Sequence, residues 1–181
     1  MQRYHLAKGY VHLITGEGPG KTTSALGISL RCLGHGMRVC IIQFLKGKND
    51  DINFGEIKSL KRFKNLLIKQ FGEGSFLQSN NINLSDVYRA KKGLKFALNK
   101  MMSKEYDLII LDEVNVAMYY GLLKIEEVLS FIKSKPHNIE LILTGRNAPD
   151  QLYAVADYVV VINSLRHPFD NGVQARKGIE Y

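Results

Sequence analysis

The 181-residue chain holds only two cysteines, Cys32 and Cys40, and no apolar run near the roughly 20 residues that a membrane span needs. Scarce cysteine argues against a disulfide framework or a cysteine-built metal site. One thiol falls near the end of a predicted helix and the other inside a predicted strand, places that suit small core residues. Met1–Lys8 are polar and basic, with no apolar stretch behind them to act as a signal peptide, so a cytoplasmic protein without a membrane partner is expected. Internal repeats, low-complexity tracts and linkers are absent too. So are the patterns G-x-S-x-G and H-E-x-x-H. No nucleophile stands beside an attendant base. If the chain is an enzyme, a bound substrate must bring the reactive group.

What is present fits one globular domain over residues 1–181. Apolar residues make up 45% and charged residues 23%, a balance that excludes a disordered chain. The length supports one full core but not two ordinary ones. A net charge of +8 favours polyanions: a triphosphate, a phosphate-bearing cofactor or nucleic acid. The densest basic stretch, Lys58–Lys69, includes Lys61, Arg62 and Lys64 but few aromatics, and reads as a solvated face. It offers no aromatic-basic platform for bases, so nucleic acid is not an expected partner.

Apolar β-branched runs alternate with helical patterns, which predicts an α/β fold with a mostly parallel sheet flanked by helices. Strands are expected at Tyr10–Ile14, Arg38–Phe44, Leu66–Phe71, Leu108–Leu111, Leu141–Thr144 and Tyr158–Ile162. Helices are expected at Thr22–Leu33, Asp86–Met102 and Ile125–Ser134, with a short one from Pro149. Leu26, Ile28, Leu30 and Leu33 are placed mostly on the buried side of the first helix, which His35 caps. Ser85 is the expected cap of the second, with Ala90, Leu94, Ala97 and Met101 as its apolar stripe. Tyr119 and Tyr120 read as packing residues. Two polar loops, Lys46–Phe54 and Gly72–Leu84, follow strands and so belong at the carboxyl edge of the sheet, where open α/β folds bind ligands.

The chemistry concentrates in Gly16-Glu17-Gly18-Pro19-Gly20-Lys21-Thr22-Thr23, between the first strand and the first helix. Three glycines let the backbone aim N–H groups inward and form an anion nest on a helix N-terminus. Lys21 offers a charge to phosphate oxygens, and Thr22 a hydroxyl to a phosphate-bound magnesium ion. Thr15 stands where the usual P-loop pattern has its first glycine, so the loop is effectively one residue short. A second element, Leu108-Ile109-Ile110-Leu111-Asp112-Glu113, ends a buried strand in two carboxylates that can hold a metal ion beside a triphosphate. Spacing alone leaves open which acid does so.

These segments, with Gln43-Phe44-Leu45-Lys46-Gly47, Leu143-Thr144-Gly145-Arg146, His167-Pro168-Phe169-Asp170-Asn171-Gly172 and Gly178-Ile179-Glu180-Tyr181, resemble the P-loop-type ATP:corrinoid adenosyltransferases. That family includes cob(I)alamin and cob(I)yrinic acid a,c-diamide adenosyltransferases. The resemblance spans Gly9–Tyr181 and implies a P-loop NTPase-like, RecA-like fold. It also implies transfer of the 5′-deoxyadenosyl group of ATP to Co(I) of a corrinoid, with release of inorganic triphosphate. Reduced cobalt is then the nucleophile, which accounts for the missing catalytic side chain. By resemblance, Gly16, Glu17, Gly18, Pro19, Gly20, Lys21, Thr22 and Thr23 hold ATP, reversed relative to most P-loop proteins. Gln43, Lys46, Arg146 and His167 are further binding residues, and Thr22 and Glu113 carry Mg²⁺ or Mn²⁺. A homodimer, a reduced corrinoid and a flavoprotein reductant are the implied partners.

The chain departs from the family pattern at several places. Pro19 stands where many members have lysine. The loop Gly72-Glu73-Gly74-Ser75-Phe76-Leu77 lacks aromatics at Ser75 and Leu77, leaving Phe76 to substitute after a one-residue shift. Val161 replaces a frequent glutamate and Arg176 a glutamine. The segment before the first strand is shorter than in the longer members. Two other readings are open at this point. One is a different P-loop enzyme, a kinase or a nucleic-acid-dependent ATPase. The other is a non-catalytic ATP- or corrinoid-binding paralogue.

Overall fold

The computed structural model describes residues 4–47, 54–72 and 82–180. Six strands form one sheet: β1 Val11–Thr15, β2 Val39–Phe44, β3 Leu66–Phe71, β4 Leu108–Asp112, β5 Glu140–Thr144 and β6 Tyr158–Val161. Their order across the sheet is β3-β2-β4-β5-β1-β6, and every pairing is parallel. β5 therefore separates β1, which leads into the glycine-rich loop, from β4, which ends in Asp112. This is the single-sheet arrangement of a RecA-like P-loop fold.

The central strands read as unbroken apolar runs because helices cover both faces. All six residues of β2 and all five of β4 are buried. Successive side chains point to opposite faces. Ile41, Ile110, Ile142 and Ile14 meet Leu26 and Leu33 of α1 (Lys21–Gly34) and Leu60 of α2 (Gly55–Leu60). Ile42, Phe44, Ile109 and Leu111 belong to the larger core on the other face. There they join Ala90, Leu94, Ala97 and Met101 of α3 (Leu84–Met102) and residues of α4 (Val114–Tyr119), α5 (Ile125–Lys133) and α6 (Asp150–Val155).

Several local expectations need correction. Leu30 is 52% exposed, because the apolar stripe of α1 is narrower than its leucine content suggests. Asn83 caps α3 in place of Ser85: its side chain accepts the Ser85 and Asp86 N–H groups, and Asp86 reaches back to the Asn83 N–H. Tyr119 is 61% exposed, its ring set edge-on to Tyr120. His35 does cap α1, and Lys58, Lys61, Arg62, Lys64 and Lys69 do lie exposed. Both cysteines are free, Cys40 buried and Cys32 partly so. Among the described residues no helix is long and apolar enough to cross a membrane. The loop segments 48–53 and 73–81, which include Phe76 and Leu77, lie outside the described residues, as does Tyr181.

Four central strands end the same way. The residue after each has a positive φ: Gly16 (99°) after β1, Leu45 (65°) after β2, Glu113 (64°) after β4 and Gly145 (130°) after β5. For leucine and glutamate this left-handed backbone is unfavourable and must be held by the surroundings. Leu45 is held by packing against the core, and Glu113 by a hydrogen bond from its N–H to Thr144 Oγ1 at 3.0 Å.

Candidate active site

The glycine-rich loop bends from β1 into α1 at the carboxyl edge of the sheet. Its shape is set from the side by the chain that leaves β6. The Gly18 N–H donates to the Ile162 carbonyl (2.8 Å), and the Ile162 N–H donates to the Thr15 carbonyl (2.8 Å). A Cβ on Gly16 would lie 2.4 Å from the Ile162 oxygen, so close approach as well as φ requires glycine there. Lys21 is buried and turns back over the loop, its Nζ donating to the carbonyls of Gly16 and Gly18, each at 2.7 Å. Burial, and then the charge of Arg146, pull its pKa below the ordinary lysine value, while Glu113 and Glu17 oppose them. Phosphate oxygens are the natural partners for such a cation.

Asp112 is the hub beneath the loop. It is 1% exposed and accepts four hydrogen bonds from three directions. Thr22 Oγ1 and Thr144 Oγ1 each donate to Oδ1 at 2.8 Å, while Gln43 Nε2 (2.9 Å) and Lys46 Nζ (3.0 Å) donate to Oδ2. Gln70 Nε2 in turn donates to Gln43 Oε1 at 3.0 Å. Burial acts to raise the Asp112 pKa. The Lys46 charge and the hydrogen bonds from Lys46, Thr144 and Thr22 outweigh it, leaving the carboxyl below its ordinary value. Burial likewise acts to lower Lys46, and the Asp112 carboxylate holds it above the ordinary lysine value. The pair is mutually neutralised.

Glu113 differs from its neighbour. Its side chain has no hydrogen-bond or ion-pair partner among the described residues. Burial and the adjacent Asp112 charge push its pKa up, against the pull of Lys46, Lys21 and Arg146. A carboxylate so placed gains from a cation. The Thr22 hydroxyl and the Glu113 carboxylate are hard oxygen donors of the kind that complete a magnesium shell made mostly of phosphate and water. Among the described residues no group of three or more His, Cys, Asp or Glu gathers into an all-protein metal cage.

Of the residues expected from sequence, the structure brings Gly16–Thr23, Gln43, Lys46 and Glu113 to one edge around Asp112. Arg146 stands beside the loop, its Nη1 3.5 Å from Glu17 Oε2, with both side chains largely in water. His167 serves the local backbone, where its Nδ1 accepts the Phe169 N–H (3.1 Å) at the start of a short 3-10 helix, Pro168–Asn171. Sequence reasoning assigned no role to Thr144, Gln70 or Ile162. It also missed Asn115, which is fully buried and donates from Nδ2 to the Gly145 carbonyl (3.0 Å), tying the turn after β4 to the turn after β5. Only the polarity of Thr144, Gln70 and Asn115 in otherwise apolar surroundings could have signalled them, and Ile162 acts through its backbone, which no side chain announces.

The chain also resembles known proteins along nearly its whole length. Residues 7–181 match the model of the family described as ATP:corrinoid adenosyltransferase BtuR/CobO/CobP. A corrinoid adenosyltransferase of a Sinorhizobium species is 33% identical over 177 residues, covering 96% of this chain and 81% of that protein. One from Pseudomonas aeruginosa is 33% identical over 175 residues, covering 96% and 84%. Another from Escherichia coli K12 is 31% identical over 176 residues, covering 96% and 86%. With its sheet order, its short glycine-rich loop and this match along nearly its whole length, the chain belongs to the ATP:corrinoid adenosyltransferase family.

Proposed function

We propose that this protein transfers the 5′-deoxyadenosyl group of ATP to the Co(I) centre of a corrinoid and releases inorganic triphosphate. The observation that carries the reading is the glycine-rich loop closed by Lys21, with the Glu113 carboxylate, which has no side-chain partner among the described residues, within its electrostatic reach. Co(I) supplies the electron pair of the new Co–C bond, the C5′–O bond of ATP breaks, and the triphosphate carries those electrons away. The chain's own work is placement and charge. The N–H groups of Gly16–Thr23, the Lys21 ammonium and Arg146 bind the triphosphate, reversed relative to most P-loop proteins, so that C5′ faces the cobalt. Gln43 and Lys46 shape the floor, and His167 lies in the tail that borders the site. A magnesium or manganese ion bound with ATP would be held by Thr22 and Glu113, and would supply further charge against the leaving group.

Co(I) requires prior one-electron reduction of a Co(II) corrinoid, and we assign that step to a flavoprotein reductant in the cytoplasm. The protein works as a homodimer. The test is anaerobic: protein, Mg-ATP and chemically reduced cobalamin or cobinamide, with absorbance and phosphate products followed together. A light-sensitive Co–C product with inorganic triphosphate, lost in Lys21→Ala, supports the reading. ATP binding with no reaction on either corrinoid refutes it.

A further inference from the structure

A polar row crosses three neighbouring strands at the carboxyl edge of the sheet. Asp112 of β4, Gln43 of β2 and Gln70 of β3 stand in register, with Gln43 paired to both of the others. Their side chains therefore share one face. The hydrogen bonds along this row have a fixed sense. Asp112 Oδ2 accepts from Lys46 Nζ at 3.0 Å, a group that has donors only. Gln43 meets the same oxygen at 2.9 Å with its NH₂ group, because its carbonyl in that place would set two acceptors against each other. Gln43 Oε1 is thereby turned toward β3, where it accepts the Gln70 Nε2 at 3.0 Å. Gln43 is 1% exposed and has no room to adapt. The orientation set at Asp112 is thus passed on to Gln70, whose NH₂ group faces inward and whose carbonyl forms the outer end of the row. Among the described residues that carbonyl accepts no hydrogen bond, and Gln70 is only partly buried.

The outer end is firmly placed and lies near the nucleotide loop. A Cβ on Gly72 would come 2.3 Å from the Leu45 carbonyl carbon, so the chain leaving β3 is held against the turn that follows β2. At its other end the row meets the glycine-rich loop through Thr22 and Asp112 at 2.8 Å. Lys46 is the cation of the row, and Asp112 already neutralises it. Lys69, next to Gln70 along β3, points to the opposite face. A neutral acceptor in such a setting favours a donor and disfavours a carboxylate. A hydroxyl suits either orientation of an amide, so a fixed sense discriminates most sharply for an NH₂ group, which only donates.

We propose that Gln70 is a specificity residue whose side-chain carbonyl accepts a hydrogen bond from an NH₂ group of the bound substrate. Two sources share that chemistry, the amino group of adenine and a side-chain amide of the corrinoid. The assignment rests on the ATP and corrinoid reading given above.

The experiment is calorimetric binding to wild type and Gln70→Met with two matched pairs of ligands. One pair is the magnesium complexes of ATP and of purine riboside triphosphate, which lacks the amino group. The other is cobinamide, with primary amides, and the same corrinoid with those amides hydrolysed to carboxylates. Gln70→Met is expected to shrink the preference for the NH₂-bearing member of one pair about three- to tenfold, the worth of one hydrogen bond. Loss in the nucleotide pair identifies adenine as the donor, and loss in the corrinoid pair identifies an amide. Ratios are compared because the substitution also withdraws a bond from Gln43, which weakens every ligand alike. Should Gln70→Met fold poorly by circular dichroism, Gln70→Ser removes the carbonyl with a side chain too short to replace it and is expected to give the same ratios. Both preferences unchanged in a folded variant overturn the proposal. A wild type that binds neither ATP nor cobinamide refutes this assignment and the proposed function together. A protein that shows the preference yet forms no Co–C bond refutes only the function.

Discussion

Replacing Asp112 with asparagine tests the hub beneath the loop. The amide keeps the shape of the carboxylate but removes its charge, and its NH₂ group must face donors from Thr22 and Thr144 or from Gln43 and Lys46. Breaking one side of a buried ion pair costs about 3–5 kcal/mol. Lys46 keeps 19% of its side chain in water, which selects the lower end, about 3 kcal/mol. For a domain of this size that corresponds to a fall in melting temperature of roughly 6–12 °C. Urea unfolding of wild type, Asp112→Asn, Lys46→Met and the double variant gives the coupling directly. The double variant is expected to recover part of the loss, since no buried cation is left unpaired. The folded pKa of Asp112 is depressed, so its contribution is fully present above the unfolded value of about 3.9 and disappears as pH falls through the lower folded value. The gap between wild type and Asp112→Asn should therefore stay constant from neutral pH down to about pH 5 and close in stronger acid. A loss below about 1 kcal/mol, or strictly additive single variants, would refute the reasoning.

Three further expectations concern the loop and the thiols. Lys21→Ala should lower ATP affinity by about a hundredfold or more by calorimetry, while changing stability by only about 1 kcal/mol, because Lys21 bonds just two carbonyls of its own loop. Gly18→Ala puts a Cβ 2.7 Å from the Asn163 carbonyl carbon and should abolish ATP binding. Gly20→Ala meets open space and should cost only the strain of φ 106°, about 1 kcal/mol in unfolding experiments. Burial pushes the Cys32 thiol up to about 11 and the Cys40 thiol to about 12, so at pH 8 both should label slowly with a thiol reagent. Cys32 should react first, and labelling of Cys40 as fast as in urea would contradict its burial.

Much of the fold was legible because parallel strands advertise themselves. Val39–Phe44 and Leu108–Asp112 are apolar on both faces, and that pattern located them to within a residue. The helix Val114–Tyr119 escaped notice because it follows Glu113 with no turn residue between and opens on two β-branched valines. The helix Gly55–Leu60 is short and begins on glycine, which hides it equally well. Nor could spacing divide the roles of Asp112 and Glu113. Asp112 ends its strand and faces the floor, where Thr22 reaches it, whereas Glu113 enters the left-handed turn and has no side-chain partner among the described residues. That division depends on one backbone angle, which no local pattern encodes.

The four reversals after β1, β2, β4 and β5 have a consequence for how such a protein can change. Because the chain turns aside just past the ends of four strands, the adjoining side chains Gln43, Asp112 and Thr144, a buried row joined by hydrogen bonds, make a platform whose level the backbone sets. The loops that follow those turns can lengthen, shorten or exchange residues without moving the platform. Drift in substrate preference is then cheap, while drift in triphosphate handling is not. Two members of such a lineage could diverge widely in the molecule they modify and still keep the same anchorage for the group they donate.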